Sequence, residues 1–217
     1  MINFFKTLSV LVLLAFVSCS PKVYKDKAFF SKVQPATQSL AVLPVEVIFT
    51  GNLPKKWDSE RVAKMELEES LQIQESIYND FLFHSRANVP NKWAVKMMDY
   101  RFINNKLEER GISIRDSWKL SSSELAQVLG VDMLIRARVK NERIMSKAAA
   151  MGINVGVSVI RDVFSNSGSS LEVTDTKASE NEMSISLYHS SKREAIARVA
   201  DHKKLKIRKL PIYHKDE

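Results

Sequence analysis

SSSELAQVLGVDMLIRARV, Ser121 to Val139, passes from helix to strand without a loop, and the fold follows from it. Ser121 and Glu124 make an S-x-x-E capping box, in which each side chain satisfies a free amide of the other residue at a helix start. Leu125, Val128 and Leu129 share one apolar side, and Gly130 supplies the left-handed residue that ends a helix. Val131-Asp132 leads directly into Met133–Val139, where Arg136 and Arg138 alternate with apolar residues. Alternation at period two predicts a strand with one wet face. A capped helix running into such a strand predicts an α/β domain.

Upstream, Ser39–Phe49 (SLAVLPVEVIF) is a short, nearly continuous apolar run, which predicts a strand buried on both faces. Pro44 has no amide to donate, so this strand bends there or lies at an edge from that point. Asp58 to about His84 has helical periodicity in Leu67, Leu71, Tyr78 and Leu82, with Ile73, Ile77 and Phe81 beside them. Asp58 is its expected cap. Glu60, Arg61, Lys64, Glu66, Glu68 and Glu69 are expected on its solvent side. Trp93–Met98 is a candidate second strand, and Asp99 caps a short helix that runs to Arg110 and stops at Gly111. Downstream, Met183, Ile185 and Leu187 alternate on one arm of an expected hairpin over 182–200. Ala195, Ala197 and Val199 alternate on the other. Between strand and hairpin, Ala148–Phe164 fits both a strand, through Met151, Ile153, Val155, Val157 and Val159, and a helix, through Ile153, Val157, Ile160 and Phe164. The expected fold is α/β, with a single small mixed sheet flanked by helices and a C-terminal β-hairpin.

The first residues carry a different signal. One positive charge, Lys6, precedes an apolar run from Thr7 to Val17. That run is shorter than the roughly 20 residues a membrane-spanning helix needs, and it suits a signal-peptide core. Phe16-Val17-Ser18-Cys19 closes it, and Cys19 is the only cysteine in the chain. A small residue before cysteine, after an apolar pair, resembles the bacterial lipobox. That resemblance implies cleavage between Ser18 and Cys19 and acylation of Cys19, with Phe16 standing where leucine is usual. No aspartate follows the cysteine, since Ser20-Pro21-Lys22 comes next, which favours the periplasmic face of the outer membrane. The expected organisation is a signal peptide at 1–18, a flexible tether at 19–38, an α/β domain at 39–200 with an insert at about 146–182, and a basic tail at 201–217.

The 217 residues are 45% hydrophobic and 27% charged, enough apolar content for a core, with a formal charge of +8. An exported protein has no nucleic acid within reach, so the anionic neighbours expected for this basic chain are lipid head groups and cell-wall polymers. Plain solubility accounts for the charge as well.

The order of elements, with particular residues in them, resembles a group of exported lipoproteins. These are related to the curli secretion channel, to the lipoprotein activator of penicillin-binding proteins and to the N-terminal domain of the Tol-system β-propeller protein. Ala41-Val42-Leu43-Pro44 is similar to their opening strand. Gln74–Tyr78 and Leu82 resemble the first helix of a Bacteroidetes-type branch, and Leu107–Ile112 resembles an L-x-x-x-G-I that follows the second strand. Glu124–Asp132 is similar to ELA-x-x-LGVD, the most specific of these pieces. The hairpin lacks the glycine usual in its turn, Ile196 and Ala197 stand where an aromatic is expected, and no final helix is evident. The resemblance implies binding of partners or oligomerisation, through a domain whose shared residues are core and turn positions.

Catalytic signatures are absent from the sequence: there is no G-x-S-x-G, P-loop, G-x-G-x-x-G or H-E-x-x-H. His84, His189, His202 and His214 are scattered without metal spacing, and Glu68-Glu69 and Glu108-Glu109 are neighbours that do not face one another on a helix. The expectation is a non-enzymatic lipoprotein without catalytic, metal or cofactor residues. It is held in the bilayer by acylated Cys19, and its partner is an envelope protein, peptidoglycan or another copy of itself. Two other readings stand beside it: a subunit of a secretion channel and a hydrolase with a site assembled only in three dimensions.

Overall fold

The computed structural model describes residues 22–33, 37–50, 57–86, 95–141 and 181–202. The insert, most of the basic tail and residues 1–21 lie outside the described residues. In chain order the elements are β1 (Lys22–Lys25), α1 (Lys27–Phe30), β2 (Ser39–Val42), β3 (Glu46–Phe49), α2 (Ser59–Arg86) and β4 (Lys96–Met97). Then come α3 (Tyr100–Glu109), α4 (Ile114–Ser117), α5 (Ser122–Leu129), β5 (Met133–Asn141), β6 (Asn181–His189) and β7 (Ala195–His202). They form one mixed sheet with strand order β1-β7-β6-β5-β2-β4, and β3 also pairs with β5. The expected fold class and the closing hairpin are both present.

Pro44 governs the first strand. β2 and β3 both pair parallel to β5, but the chain takes four steps from Val42 to Glu46 while β5 takes three from Ile135 to Arg138. The extra residue reverses the side-chain alternation. Before it Leu40 and Val42 face the larger apolar core; after it Val45, Val47 and Phe49 do. β2 is buried on both faces, as expected, but β3 is buried on one face only, because the second apolar cluster covers Ala41 and Leu43 and includes no residue of β3. Beyond the short β4 the carbonyl of Val42 has no ladder partner, and the buried Gln74 amide donates to it at 2.9 Å. Gln74 and Asn104 exchange two further bonds of 3.0 and 2.9 Å, which ties α2 to α3 and to the sheet.

α2 packs Ile73, Ile77 and Phe81 against one face of the sheet. Asp58 caps it, accepting from the Arg61 amide at 2.7 Å. Glu66 and Glu69 are not on its solvent side as expected: both are buried. Glu66 accepts from the Phe49 amide at 3.1 Å, closing the free edge of β3, and pairs with Arg115 of α4. A buried carboxylate is stable here because each oxygen has a donor. The opposite face of the sheet is covered in part by α3 and α5, whose Ile103, Leu107, Leu125 and Leu129 pack on Ala41, Leu43 and Leu134. Both predicted caps of α5 are present, with the reciprocal Ser121–Glu124 box and Gly130 at φ 67°. Asp99 and Gly111 bound α3 as expected, Gly111 at φ 68°.

Residues 22–33 correct the reading of 19–38 as a flexible tether. β1 pairs antiparallel with β7, from Lys22 opposite Ala200 to Lys25 opposite Ala197. Asp26 caps α1, and Phe29 is buried in the main core against the ring of His189, 4.9 Å away. A four-residue strand has too little periodicity to be seen in sequence; the exposed edge of the hairpin creates it. The hairpin also carries a bulge. Leu187 faces Ala197 and Tyr188 faces Ala195, so Ile196 is the extra residue, and it is fully buried.

At the sheet end where β5 begins, the Asp132 carboxylate accepts from both the amide and the hydroxyl of Ser39, at 2.8 and 2.7 Å. The Ser39 hydroxyl oxygen accepts from the Asp132 amide at 2.9 Å. The Ser39 donors hold the Asp132 carboxyl below the ordinary carboxylate range. Two predictions follow from these polar ties. Asp132→Asn should destabilise the protein by about 1.5–3 kcal/mol at pH 7, as bonds to a charged acceptor are worth about that much, read as a shift in the urea midpoint. Because the folded pKa is depressed, the advantage of aspartate is complete above its unfolded pKa of about 3.9 and is lost as pH falls through the lower folded value. The two urea midpoints should therefore converge below about pH 4. Gln74→Ala should cost about 2–4 kcal/mol in the same assay, since it leaves a cavity and a buried carbonyl without a donor.

Candidate functional site on the open face of the sheet

α3 and α5 lie over β2, β4 and the first part of β5. α5 also touches β6, and β7 and β1 widen the sheet beyond it by two strand spacings of about 4.8 Å. The face left bare is polar. Paired residues share a face, so one row across the strands runs Arg136, Ser186, Arg198 and Tyr24. The next runs Glu46, Arg138, Ser184 and Ala200. Glu46 is in that row only because of the extra residue at Pro44.

A cleft of about 380 Å3 opens on this face, with Leu43, Pro44 and Trp118 as its apolar wall and Arg136, Ser186 and Arg198 among its polar lining. Its three guanidiniums have different duties. Arg136 is largely committed: Nη1 donates to the carbonyl of Leu120 at 2.8 Å and to the Ser122 hydroxyl at 3.2 Å, and Nη2 donates to the Trp118 carbonyl at 2.7 Å. It thereby satisfies the turn between α4 and α5 and fixes the wall of the cleft. Burial pushes its pKa below the ordinary arginine value, yet a guanidinium stays protonated at neutral pH. Arg138 pairs with Glu46 at 2.7 Å. Arg198 donates through Nε to the Ser186 hydroxyl at 3.1 Å and, at 3.4 Å, toward the Tyr188 hydroxyl, and it has no carboxylate partner among the described residues. The indole N–H of Trp118 is buried and has no acceptor among the described residues.

The residues singled out from sequence fall elsewhere. Ser18 and Cys19 lie outside the described residues, as does His214. Among the described residues no group of histidine, cysteine and acidic side chains has the arrangement of a metal site. His189 stands near Asp132 and two serines. Its Nδ1 bonds the Ser191 hydroxyl in the hairpin turn at 2.7 Å, its Nε2 bonds Gln38 at 3.0 Å, and the Ser39 hydroxyl points to Asp132 instead. The Ser191 amide also donates to Nδ1 at 3.1 Å, so the imidazole ties the hairpin turn to the start of β2. Burial lowers the His189 pKa. Sequence reasoning passed over the cleft, although Arg136/Arg138, Ser184/Ser186 and Arg198 at alternate positions of adjoining strands are a legible signal.

No protein-family model matches the chain. No curated protein matches it. Among solved structures it is similar to the LpoB C-terminal domain from Salmonella enterica, at 12% identity and a TM-score of 0.34, over 82% of this chain and 96% of that one. At that TM-score the function has to be argued from the chain itself.

Arg136→Lys tests the construction of the cleft wall. A single ammonium cannot reproduce the planar fork, so amides of residues 117–122 should exchange with solvent faster, with a stability loss of about 1–3 kcal/mol. Hydrogen exchange read by mass spectrometry reports both.

Proposed function

We propose that the chain is a non-enzymatic lipoprotein of the outer membrane, anchored through acylated Cys19 and facing the periplasm, whose α/β domain binds an envelope partner on the open face of its sheet. The observation that carries the binding reading is that face: a donor-rich cleft where guanidiniums outnumber carboxylates. Such a surface is built to receive an acceptor. The lipobox-like Phe16–Cys19 carries the anchoring reading.

The ordered β1 alters what anchoring means. Lys22 already belongs to the sheet, so an acylated Cys19 is separated from folded structure by only two residues, Ser20 and Pro21, three chain steps that reach at most about 11 Å. The domain would ride against the bilayer rather than on a long leash. Two acyl chains or more make such an anchor effectively permanent.

Cys19→Ser should abolish fatty-acid labelling and release the protein from the membrane fraction; unchanged labelling refutes the anchor. For the binding surface, a photo-crosslinking residue at Ser184 should capture an envelope component in cells, while the same residue at Lys64, on the exposed side of α2, should not. Equal products from both positions would remove the open face as the binding surface.

A further inference from the structure

We propose that the cleft beside Arg198 is a binding site for a short peptide ending in a free carboxylate, two or three residues long. This rests on reading the open face as a binding surface, and it names the ligand class.

Five features converge on that class. First, the cleft presents donors that lack acceptors. The Nη1 group of Arg198 has no partner among the described residues. The hydroxyls of Ser186 and Tyr188 accept from Arg198, which leaves their own protons free to donate outward. The Ser184 hydroxyl, also in the lining, has no partner among the described residues. A bound group that accepts several hydrogen bonds at once satisfies this set, and an ionised carboxylate does so with charge-assisted bonds.

Second, the charge suits one negative group. Arg136, Arg138 and Arg198 face a single carboxylate, Glu46, among the lining residues. Arg138 is already neutralised by Glu46, and Arg136 is spent on backbone carbonyls. Arg198 is the guanidinium left for a ligand. A dianionic phosphate would gain one free guanidinium and meet the Glu46 carboxylate within the same cleft. A monoanion avoids that repulsion.

Third, Glu46 gives the cleft an acceptor too. One oxygen engages Arg138, and the other can receive an N–H from a ligand. Carboxylate at the Arg198 end and amide N–H toward the Glu46 end is the polarity of a peptide C-terminus. Fourth, Leu43, Pro44 and Trp118 offer an apolar wall for small side chains. Fifth, the size fits. A volume of about 380 Å3 lies at the small end of ligand pockets and holds a few residues. A protein partner held by surface complementarity would instead need about 800 Å2 on each side.

The test uses the full chain in detergent, titrated by calorimetry with N-acetyl-alanyl-alanine, with the same dipeptide as its C-terminal amide, and with inorganic phosphate. The free acid should bind saturably, and the amide should bind about tenfold more weakly or worse, since it loses the charge-assisted bonds. Arg198→Ala should weaken the acid by a similar factor and leave the amide unchanged, with Tyr188→Phe giving a smaller loss in the same direction. Both side chains are at the surface, and circular dichroism checks that the variants fold. Equal affinity for acid and amide, no effect of Arg198→Ala, or phosphate binding tighter than the dipeptide would each overturn the proposal. If neither dipeptide binds while the Ser184 crosslinker captures an envelope protein, the peptide site is refuted and the open face as a protein-binding surface survives.

Discussion

The reciprocal bonds between Asp132 and Ser39 hold the sheet in register. β2 and β5 are parallel and far apart in sequence, so no turn sets their alignment. Asp132 stands just before β5 and Ser39 opens β2, and three hydrogen bonds pass between them. The Asp132 carbonyl also accepts from the Ser190 amide at 2.7 Å, just beyond the end of β6. One residue thus pins the three central strands at one end of the sheet. A slip of one position would turn every side chain of β2 to the opposite face. Both faces of β2 are buried, so such a slip would force Leu40 and Val42 into the space shaped for Ala41 and Leu43. Positional specificity, more than strength, is what the aspartate contributes.

From that alignment the asymmetry of the sheet follows. One face is apolar across the central strands and packs on α2. The other is apolar only where α3 and α5 reach it. Those helices connect β4 to β5 and settle over the strands they join. The hairpin and β1 extend the sheet on the far side of β5, where α5 reaches only β6. Polar residues at alternate positions of β5, β6 and β7 are the consequence, since an uncovered face must be wetted. The extra residue at Pro44 then brings Glu46 to this face and Val47 to the core. Without it Glu46 would point into the core beneath α2, where a carboxylate with no partner is costly. The proline, the bulge and the Glu46–Arg138 pair are one solution to one packing problem.

Local signals in the sequence translated directly into structure. The capping box at Ser121–Glu124, the Gly130 stop, the Asp99 cap and the alternation in β6 each depend on residues within a few positions of one another, so their physics is written locally. What escaped is non-local. β1 exists because β7 offers an unpaired edge 170-odd residues later in the chain, a pairing that no window of sequence contains. Glu66 sits at a helix position that reads as solvent-facing, yet Phe49 and Arg115 come to it from other elements. Arg136 reads as the wet side of a strand, and so it is, but its guanidinium is consumed by carbonyls of a turn that sequence alone left as a connection. The cleft combines both limits. Its residues alternate visibly along each strand, but only the strand order places Arg198 next to Ser186 and Arg136.

Strand β1 also joins the two halves of the functional reading. Tyr24 lies opposite Arg198 on the open face and is 52% exposed. An anchor at Cys19 would therefore enter the fold along the strand that borders the cleft. With so few residues between anchor and sheet, the domain could not sweep the periplasm in search of a partner. Its encounters would be confined to a layer about one domain thick over the lipid surface. A ligand recognised there has to be displayed at, or brought to, that surface. Confinement raises the local concentration of such a ligand in the way a short linker does for a second binding event. A shallow cleft with one free guanidinium, weak for a ligand in bulk solution, can then be occupied without a larger interface.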